Sequence, residues 1–442
     1  MIDLLVTHAG ELVTCRTAPF GAVGEGLARL EVIPDGAVAV DRGRIIATGP
    51  TPRVRRQYRA RRVIDAGGRL VSPGLVDPHS HLVFAGSRHR EYEGLVTGRH
   101  DPGTRLGGGI RYTVAMTRRA SRAALEGQAL ADLDTMLLHG TTTLEAKSGY
   151  GLDRRTEIRT LRLMKGLRHP VEVIPTYCGA HVLPAEYRAR RAAYVAFVIG
   201  MLEKVRPYAE YCDVFCDPVG FTAEECRGML TVARSLGFRL KVHADQTGPA
   251  GGAELAAALE ATSADHLDFI STSGIRAMAG RRTVGVLLPG VAYHMMEMTP
   301  TLVGRRLVPA AKPFLPRLVR RMIDGGMRLA LSADYNPGTS PTQSMQAVMQ
   351  LAARFFRLAY AEIWHMATIN GAHAVDRGGD RGSLEEGKRA DLVIWRVPEH
   401  GMVINRFGVN LVDTVVKDGR VVVARGTLVP LPRRGRPAGR NA

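Results

Sequence analysis

Two histidines one residue apart, His79 and His81, end the short apolar run 71–81. On an extended segment, the side chains at positions i and i+2 point to the same side, so the two imidazoles can bind one cation. Imidazole is a common ligand of Zn and Fe. The pair alone is also typical of two loop histidines, so a metal site requires further ligands from elsewhere in the chain.

Polar residues follow several other apolar segments that we predict to be strands. After the second, third, fifth, sixth and eighth of these strands come Ser148-Gly-Tyr150, Cys178-Gly-Ala-His181, Lys241-Val-His243-Ala-Asp-Gln246, Ser263-Ala-Asp-His266 and Ser332-Ala-Asp334-Tyr-Asn336-Pro-Gly338-Thr339. Any one of these segments is more often a hydrogen-bonded loop than a ligand site. Their repetition at one end of so many strands predicts a shared functional site.

The strongest candidate ligand set combines His79 and His81 with His243 and Asp334. Three histidines and one aspartate leave a metal ion room for a water molecule, and the ion lowers the pKa of that water so that hydroxide forms near neutral pH. Asp334 could also take the proton of the attacking water. His266, one strand beyond His243, could hydrogen-bond the water or the developing oxyanion.

The elements that would hold these residues alternate between strand and helix. Apolar segments bounded by turn residues predict strands near 70–77, 141–146, 172–178, 212–216, 238–243, 262–267, 283–288 and 328–333. Between them we predict helices over 111–138, 154–167, 186–205, 223–236, 252–260 and 315–324. This alternation predicts an α/β fold, a (β/α)8 TIM barrel whose reactive residues lie past the carboxyl ends of the strands. The alternative is a doubly wound open sheet, but no Gly-x-Gly-x-x-Gly motif follows the first strand.

Short β segments with tight turns occur at both ends of the chain, including a predicted hairpin over 413–423 with an Asp-Gly turn. We therefore predict a small β-sandwich domain formed by residues 1–69 together with 381–429. The barrel, residues 70–380, would be inserted between these two parts. Residues 430–442 are rich in Arg, Pro and Gly and predict a disordered basic tail.

The composition limits the class of protein. The chain has 442 residues, 45% of them hydrophobic, and a net charge of +18. Because its arginines are scattered and no nucleic-acid-binding motif accompanies them, we interpret the charge as a solvated surface and expect no nucleic-acid partner. No segment is long and apolar enough to span a membrane, and the first residues lack a signal-peptide pattern. The five cysteines do not suggest a disulfide framework, so we expect a cytoplasmic protein with no membrane partner.

The segment Pro73-Gly-Leu-Val-Asp-Pro-His-Ser-His81 is similar to the first-strand signature of the amidohydrolase superfamily, whose members are metal-dependent hydrolases built on a TIM barrel. The resemblance extends over residues 60–426 and narrows to the members that open the ring of 4-imidazolone-5-propanoate, a small molecule of histidine degradation. The segments that carry this narrower resemblance are 81–88, 107–110, 140–153, 179–181, 251–256, 263–267, 286–290, 334–338 and 367–370.

The resemblance implies one divalent or trivalent metal ion, Zn or Fe, per subunit. Its implied ligands are the four residues already singled out, His79, His81, His243 and Asp334. Binuclear members of the superfamily carry a carboxylated lysine at the end of the fourth strand, where this chain has Phe215-Cys-Asp-Pro218, so a single ion is expected. Lys147, on the second strand, is interpreted as structural.

The resemblance also implies how a substrate is bound and cleaved. Arg88 offers a guanidinium fork that suits the substrate carboxylate. The other implied substrate-binding residues are Tyr150, His181, Gln246, Asn336, Gly338 and Thr339, and the implied catalytic residues are Asp334, His266 and Gln246. Some relatives have Glu in place of Gln246; because Gln cannot act as a base, acid–base catalysis is expected from Asp334 and His266. The implied reaction is hydroxide attack on the ring carbonyl, C–N cleavage and release of N-formimidoyl-L-glutamate.

The same residues are also compatible with two other functions. The first is another mononuclear amidohydrolase, such as a purine or pyrimidine deaminase or a different cyclic-amide hydrolase, although Arg88 favours a carboxylate-bearing substrate over a neutral base. The second is a non-catalytic protein that is stabilised by a metal or associated with nucleic acid.

An insertion expected at 294–312 could cap the pocket, form a subunit contact or simply pack against the rest of the chain. The resemblance makes a homodimer the expected assembly.

Overall fold

The computed structural model describes residues 1–97, 108–295, 300–303, 306–309 and 315–430. Its strands in chain order are β1 Ile2–Val13, β2 Val32–Asp41, β3 Arg44–Pro50, β4 Ala60–Asp65, β5 Val71–Pro73, β6 Leu75–Ser80, β7 Thr141–Lys147, β8 Glu172–Ala180, β9 Tyr211–Cys216, β10 Arg239–Ala244, β11 Ser263–His266, β12 Val284–Leu287, β13 Pro300–Val303, β14 Arg306–Pro309, β15 Arg328–Leu331, β16 Leu392–Trp395, β17 Val412–Lys417, β18 Arg420–Ala424 and β19 Thr427–Leu428. They form one nine-stranded sheet, one eight-stranded sheet and a two-stranded hairpin.

The α-helices lie mostly in the connections between the strands of the eight-stranded sheet. In chain order they are α1 Thr51–Gln57, α2 His89–Val96, α3 Gly109–Arg119, α4 Arg122–Leu138, α5 Arg154–Gly166, α6 Arg191–Val205, α7 Ala223–Ser235, α8 Gly252–Ala258, α9 Thr272–Met278, α10 Pro289–His294, α11 Leu315–Asp324, α12 Met345–Leu351, α13 Tyr360–Ala367, α14 Ile369–His373 and α15 His400–Asn405. Short 3-10 turns cover Gly24–Ala28 and Ala185–Tyr187, and a π turn covers Ala352–Phe356.

The eight-stranded sheet is the predicted barrel. Its strands, β6 to β12 and then β15, pair in parallel in chain order. The first and last strands meet just beyond the end of β15, where Ser80 bridges Tyr335. Parallel strands covered by helices are buried on both faces, which explains why the sequence shows them as apolar runs. The TIM-barrel prediction is confirmed, and the alternative of an open doubly wound sheet is wrong.

One of the predicted helices is divided in two. The sequence predicts a single helix over 111–138, whereas the structure has α3 and α4, separated at Ala120 and Ser121. Ser121 has extended backbone angles, and its hydroxyl accepts a hydrogen bond from the backbone N–H of Ala124. A serine with this geometry caps a new helix, so the prediction of one continuous helix is wrong.

Replacing Ser121 by Ala should lower the free energy of unfolding by about 1 kcal/mol, because an N–H at the start of α4 loses its acceptor. Chemical denaturation followed by circular dichroism would measure this loss. Ser121→Asp is the matched control, since aspartate also caps helices and should retain most of the stability. An unchanged unfolding midpoint in Ser121→Ala would show that the cap contributes nothing to stability.

The two ends of the chain share the nine-stranded sheet. Strands β1 to β5 precede the barrel and β16 to β19 follow it, and the two sets join where β16 pairs antiparallel with β5. The single barrel strand predicted at 70–77 is therefore two strands, β5 in this sheet and β6 in the barrel. The predicted hairpin turn is present between β17 and β18, where Asp418 and Gly419 have φ angles of 49° and 75°. Positive φ at both central residues is the geometry that Asp-Gly favours. A sheet domain built from both termini was predicted; its exact boundaries, 1–69 and 381–429, stay a prediction.

Some segments singled out in the sequence lie partly outside the described residues. The insertion expected at 294–312 contains β13 and β14, which pair as an antiparallel hairpin, and its remaining residues from 296 onward lie outside the description. Gly107 of the 107–110 segment and residues 431–442 of the basic tail also lie outside it. Within the part of the chain that the structure describes, no helix is long and apolar enough to cross a membrane.

Candidate metal centre

β6 and the segment after β15 bring His79, His81 and Asp334 together. The backbone N–H of Asp334 donates to His79 O at 3.0 Å, and that of His81 donates to Tyr335 O at 2.8 Å. As a result, Asp334 Oδ1 lies 3.5 Å from His79 Nε2 and 3.8 Å from His81 Nε2. Asp334 has a φ of 49°, a left-handed conformation that non-glycine residues adopt rarely and that is concentrated at functional sites.

Asp77 and Ser332, to which the sequence assigns no role, support this junction. The Ser332 hydroxyl lies within hydrogen-bond distance of Asp77 Oδ1 and is 2.8 Å from His79 O. The N–H of Ala333 donates to the same Asp77 oxygen at 3.1 Å. Burial raises the pKa of Asp77 to about 6. Asp77 therefore ties the first barrel strand to the last, directly below the two histidines.

Strands β10 and β11 add His243 and His266. The ring centroid of His243 lies 4.5 Å from that of His79 and 5.3 Å from that of His266. Ligand nitrogens of His79, His243 and His266 lie within 4.8 Å of one another, as do those of His79 and His81 with a carboxylate oxygen of Asp334. These five buried residues form one group, which we call the His/Asp cluster.

The His/Asp cluster fits a metal ion. His79 Nε2, His243 Nε2 and Asp334 Oδ1 are buried and have no hydrogen-bond partner within the described residues. A buried polar atom is costly unless something satisfies it. Burial also lowers the pKa of His79, His81 and His266 well below its usual value, which keeps these imidazoles neutral and able to coordinate. Imidazole nitrogens with a carboxylate oxygen are a donor set that both Zn and Fe accept.

Four charged side chains lie fully buried beneath the cluster. They are Glu145 and Lys147 on β7, Asp213 on β9 and Asp265 on β11. Three of them were missed from the sequence, and Lys147 was interpreted as structural. The signal that could have found them is a charge inside an otherwise apolar strand of a parallel sheet, because such a residue must be buried and paired.

His181 and Tyr150 line one side of the cluster. The ring of His181 stacks on that of His81, with centroids 4.7 Å apart and planes 10° from parallel, and Tyr150 lies 5.3 Å from His81. His181 Nδ1 is 3.2 Å from the carbonyl oxygen of Gly149, which can only accept, so Nδ1 carries the hydrogen and Nε2 is left as an acceptor. Burial lowers the pKa of His181 to about 3, which keeps Nε2 unprotonated.

Arg88 packs directly against Gly338. A Cβ at position 338 would overlap Arg88 Nη1, so only glycine leaves room for the guanidinium there. Glu91 Oε2 accepts from Arg88 Nε at 2.9 Å, and Glu91 Oε1 accepts the N–H of Gly109 at 2.8 Å. Glu91 thus holds the Nε side of the Arg88 guanidinium. The two terminal nitrogens of Arg88 remain the donors closest to Gly338.

Asn336 connects Gly338 to the His/Asp cluster. Its Nδ2 donates to Asp334 O at 2.7 Å and to Thr339 Oγ1 at 3.0 Å. Its Oδ1 accepts the N–H groups of Gly338 and Thr339 at 2.8 and 2.7 Å. The Asn336 amide, expected to contact substrate, is therefore engaged in holding its own loop, and it fixes Gly338, against which the Arg88 guanidinium packs, relative to Asp334.

Gln246 follows β10 in a loop that is anchored by Asp217. Asp217 Oδ2 accepts the N–H of Gln246 at 2.9 Å and that of Thr247 at 2.8 Å. Asp217 belongs to the segment 215–218, where binuclear relatives would carry their lysine, and here it shapes the loop after the next strand. The Gln246 side chain is half-buried, three residues beyond His243.

Gly338→Ala should displace the Arg88 guanidinium and raise KM for a carboxylate-bearing substrate about tenfold, the equivalent of losing one hydrogen bond to a charged group. Metal content should not change, because the His/Asp cluster does not contact the added methyl group. Steady-state kinetics beside a metal assay would measure both. A wild-type KM in this variant would show that the position of Arg88 does not matter for binding.

Comparisons with known proteins show the family of the chain. Residues 70–422 match the amidohydrolase family. The imidazolonepropionase of Geobacillus kaustophilus is 43% identical over 439 residues, which cover 96% of this chain and 99% of that protein. The imidazolonepropionase of Bacillus velezensis is 39% identical over 429 residues, or 96% and 98% of the two chains. A solved adenosine deaminase from Xanthomonas campestris with bound zinc aligns with a TM-score of 0.68 at 19% identity, over 97% of this chain and 95% of that one, and this likeness shows the fold alone.

The chain therefore belongs to the amidohydrolase family and is a metal-dependent hydrolase. Within that family it belongs with the imidazolonepropionases, to which it is similar over nearly its full length.

Proposed function

We propose that this enzyme hydrolyses the ring amide C–N bond of 4-imidazolone-5-propanoate and releases N-formimidoyl-L-glutamate, the third step of histidine degradation. The observation that carries the proposal is the connection between the His/Asp cluster and Arg88. Asn336 ties Asp334 to Gly338, and Gly338 lies against the guanidinium. A hydrolytic centre and a carboxylate-binding fork at a fixed spacing suit a small ring with a carboxylate tail.

We infer that His79, His81, His243 and Asp334 hold a single ion, and both Zn and Fe suit this donor set. When bound, the ion supplies a Lewis acid that lowers the pKa of a water molecule toward neutrality. The support for this assignment is that each of these four residues has at least one buried side-chain atom without a hydrogen-bond partner among the described residues. The fourth strand of the barrel, β9, has no lysine at its end, and this supports one ion rather than two.

The remaining steps fall to side chains of the chain itself. Asp334 points its carboxylate between His79 and His81 and accepts the proton of the attacking water. His266 lies beside His243 and hydrogen-bonds the oxygen on which negative charge develops. The attack makes a tetrahedral ring carbon, whose C–N bond breaks as the nitrogen takes up the proton held by Asp334.

Substrate orientation follows from donors and acceptors that are already fixed. Arg88 offers two terminal nitrogens to the carboxylate tail. His181 Nε2 accepts a ring N–H, since Nδ1 is engaged with Gly149. Gln246 hydrogen-bonds the ring amide without acid–base chemistry, because an amide side chain neither gives up nor takes a proton near neutral pH.

The direct experiment compares two substrates with the purified enzyme. We expect loss of the imidazolone absorbance and formation of N-formimidoyl-L-glutamate. Release of ammonia from guanine or cytosine, without turnover of the imidazolone, would favour a deaminase and contradict the proposal. We also propose a homodimer, which rests on the family resemblance and would be tested by sedimentation velocity. A cytoplasmic location without nucleic-acid or membrane partners is proposed from the five cysteines, the scattered arginines and the lack of a long apolar segment in the sequence.

A further inference from the structure

Lys147 ends β7 directly beneath the His/Asp cluster, and the proposed reaction gives it no role. Its Nζ lies 2.6 Å from Asp213 Oδ2, 3.3 Å from Asp265 Oδ2 and 3.1 Å from Glu145 Oε1. None of these four side chains has any exposed surface. One ammonium group therefore joins carboxylates from three different barrel strands.

Two of these carboxylates lie against the Nδ1 atom of a predicted metal ligand, the ring nitrogen that would not bind the ion. Asp265 Oδ2 is 2.6 Å from His79 Nδ1, and Asp213 Oδ2 is 3.1 Å from His243 Nδ1. Because a carboxylate accepts hydrogen bonds, His79 Nδ1 carries the hydrogen and His79 Nε2 keeps the lone pair that a metal requires. Asp213 lies at ion-pair distance from His243 Nδ1, which forms no hydrogen bond within the described residues. Asp213 Oδ1 also accepts the backbone N–H of His243 at 3.2 Å, which anchors this carboxylate to β10.

Geometry makes Lys147 the shared support of both contacts. Asp213 and Asp265 each present their Oδ2 atom to Lys147 and to a histidine at the same time. Without the ammonium between them, these two buried like charges repel, and Asp213 is left without a lysine partner, which is strongly unfavourable. The two carboxylates would then move apart or turn away, and the imidazoles that depend on them would lose their orientation.

We propose that Lys147 is a positioning residue of the metal centre, whose ammonium holds Asp213 and Asp265 so that His243 and His79 direct their Nε2 atoms at the same point. The proposal rests on the proposed function only in taking His79 and His243 as ligands. It replaces the interpretation of Lys147 as a structural residue with a specific role that acts through the two histidines.

The chain offers a matched control in a second buried lysine of the same network. Lys241, on β10, donates through Nζ to the carbonyl oxygen of Ala374 at 3.0 Å. It is also fully buried, lies 3.9 Å from Asp265 Oδ2 and contacts neither Asp213 nor a histidine among its described ion pairs. Lys241→Met removes an equal buried charge without removing the bridge between the two carboxylates.

The test measures metal binding rather than turnover. Zn²⁺ affinity would be obtained by competition with a chromophoric chelator for the wild-type chain, Lys147→Met and Lys241→Met, together with the visible spectrum of each Co²⁺ complex. We expect Lys147→Met to lose about 10- to 100-fold in affinity, as for removal of a group that orients a metal ligand, and to show an altered Co²⁺ spectrum. Lys241→Met should keep the wild-type Co²⁺ spectrum and lose less than about threefold in Zn²⁺ affinity. This should hold even if its metal-free form is as destabilised as that of Lys147→Met.

Lys147→Gln covers the case in which Lys147→Met does not fold. Its amide fills similar space and donates to a carboxylate without a charge, so its affinity should lie between those of the wild type and Lys147→Met. Wild-type affinity and spectrum in the Lys147 variants would overturn the proposal, as would equal losses in the Lys147 and Lys241 variants. Because no substrate is involved, these results stand apart from the imidazolone assay, whose failure would overturn the proposed function alone.

Discussion

Replacing His243 by Ala should remove the metal and reduce kcat/KM for 4-imidazolone-5-propanoate by at least about 10³-fold. The expected size follows from the several kcal/mol of transition-state stabilisation that a catalytic metal supplies, at 1.36 kcal/mol for each factor of ten. His243 occupies the centre of the His/Asp cluster, with ring contacts to His79, His81, His181 and His266. Loss of its Nε2 removes one of the three unpartnered ligand atoms.

The control for this variant is His139→Ala. His139 lies at the end of α4, where its Nδ1 is 2.8 Å from Thr135 O, far along the barrel from the strand ends that carry the cluster. It should retain metal and turnover. Wild-type metal content in His243→Ala would remove this residue from the ligand set, and full activity would contradict its place in the reaction.

Arg88→Ala should weaken capture of the substrate by about 1.5–3 kcal/mol, a fall in kcat/KM of about 10- to 150-fold, because a hydrogen bond to a charged group has this value. The loss should not extend to metal content. A substrate analogue with a propanamide tail separates the two effects: the wild type should discriminate against it, and Arg88→Ala should not.

Arg90→Ala is the matched control for Arg88. Arg90 lies on α2, which begins directly after Arg88, and its side chain is exposed. The variant loses the same charge two residues from Arg88, on an exposed side chain, and it should keep the wild-type kcat/KM. If Arg88→Ala treats the carboxylate and carboxamide substrates as the wild type does, Arg88 does not bind the tail.

The residues that could be predicted from the sequence are those whose signal is local. The apolar strand segments were recognisable because a parallel barrel buries both faces of each strand. His79 and His81 stood out through their spacing, and His243, His266 and Asp334 through their positions just after predicted strands. In a barrel all five must lie at one end. In the structure they form two groups of three that share His79, and the ligand atoms within each group lie within 4.8 Å of one another.

Other features depend on distant partners and could not be read from the sequence. The bond between Lys147 and Asp213 joins residues 66 positions apart, and that between Asp265 and His79 joins residues 186 positions apart. The helix break at Ser121 depends on a hydrogen bond between the Ser121 hydroxyl and the N–H of Ala124, and the sequence is equally consistent with a helix that continues through Ser121. An asparagine suits a substrate contact as well as a loop hydrogen bond, so the residue type of Asn336 does not distinguish the two roles. Its role in the loop follows only from where Gly338 and Thr339 fold back toward it.

The most direct test of a metal-dependent ring hydrolase at this cluster is metal content and imidazolone consumption measured on the same purified sample. We predict one Zn or Fe ion per chain, loss of turnover in proportion to metal removed by a chelator, and recovery when the ion is returned. Full turnover of 4-imidazolone-5-propanoate by demonstrably metal-free protein would contradict the account.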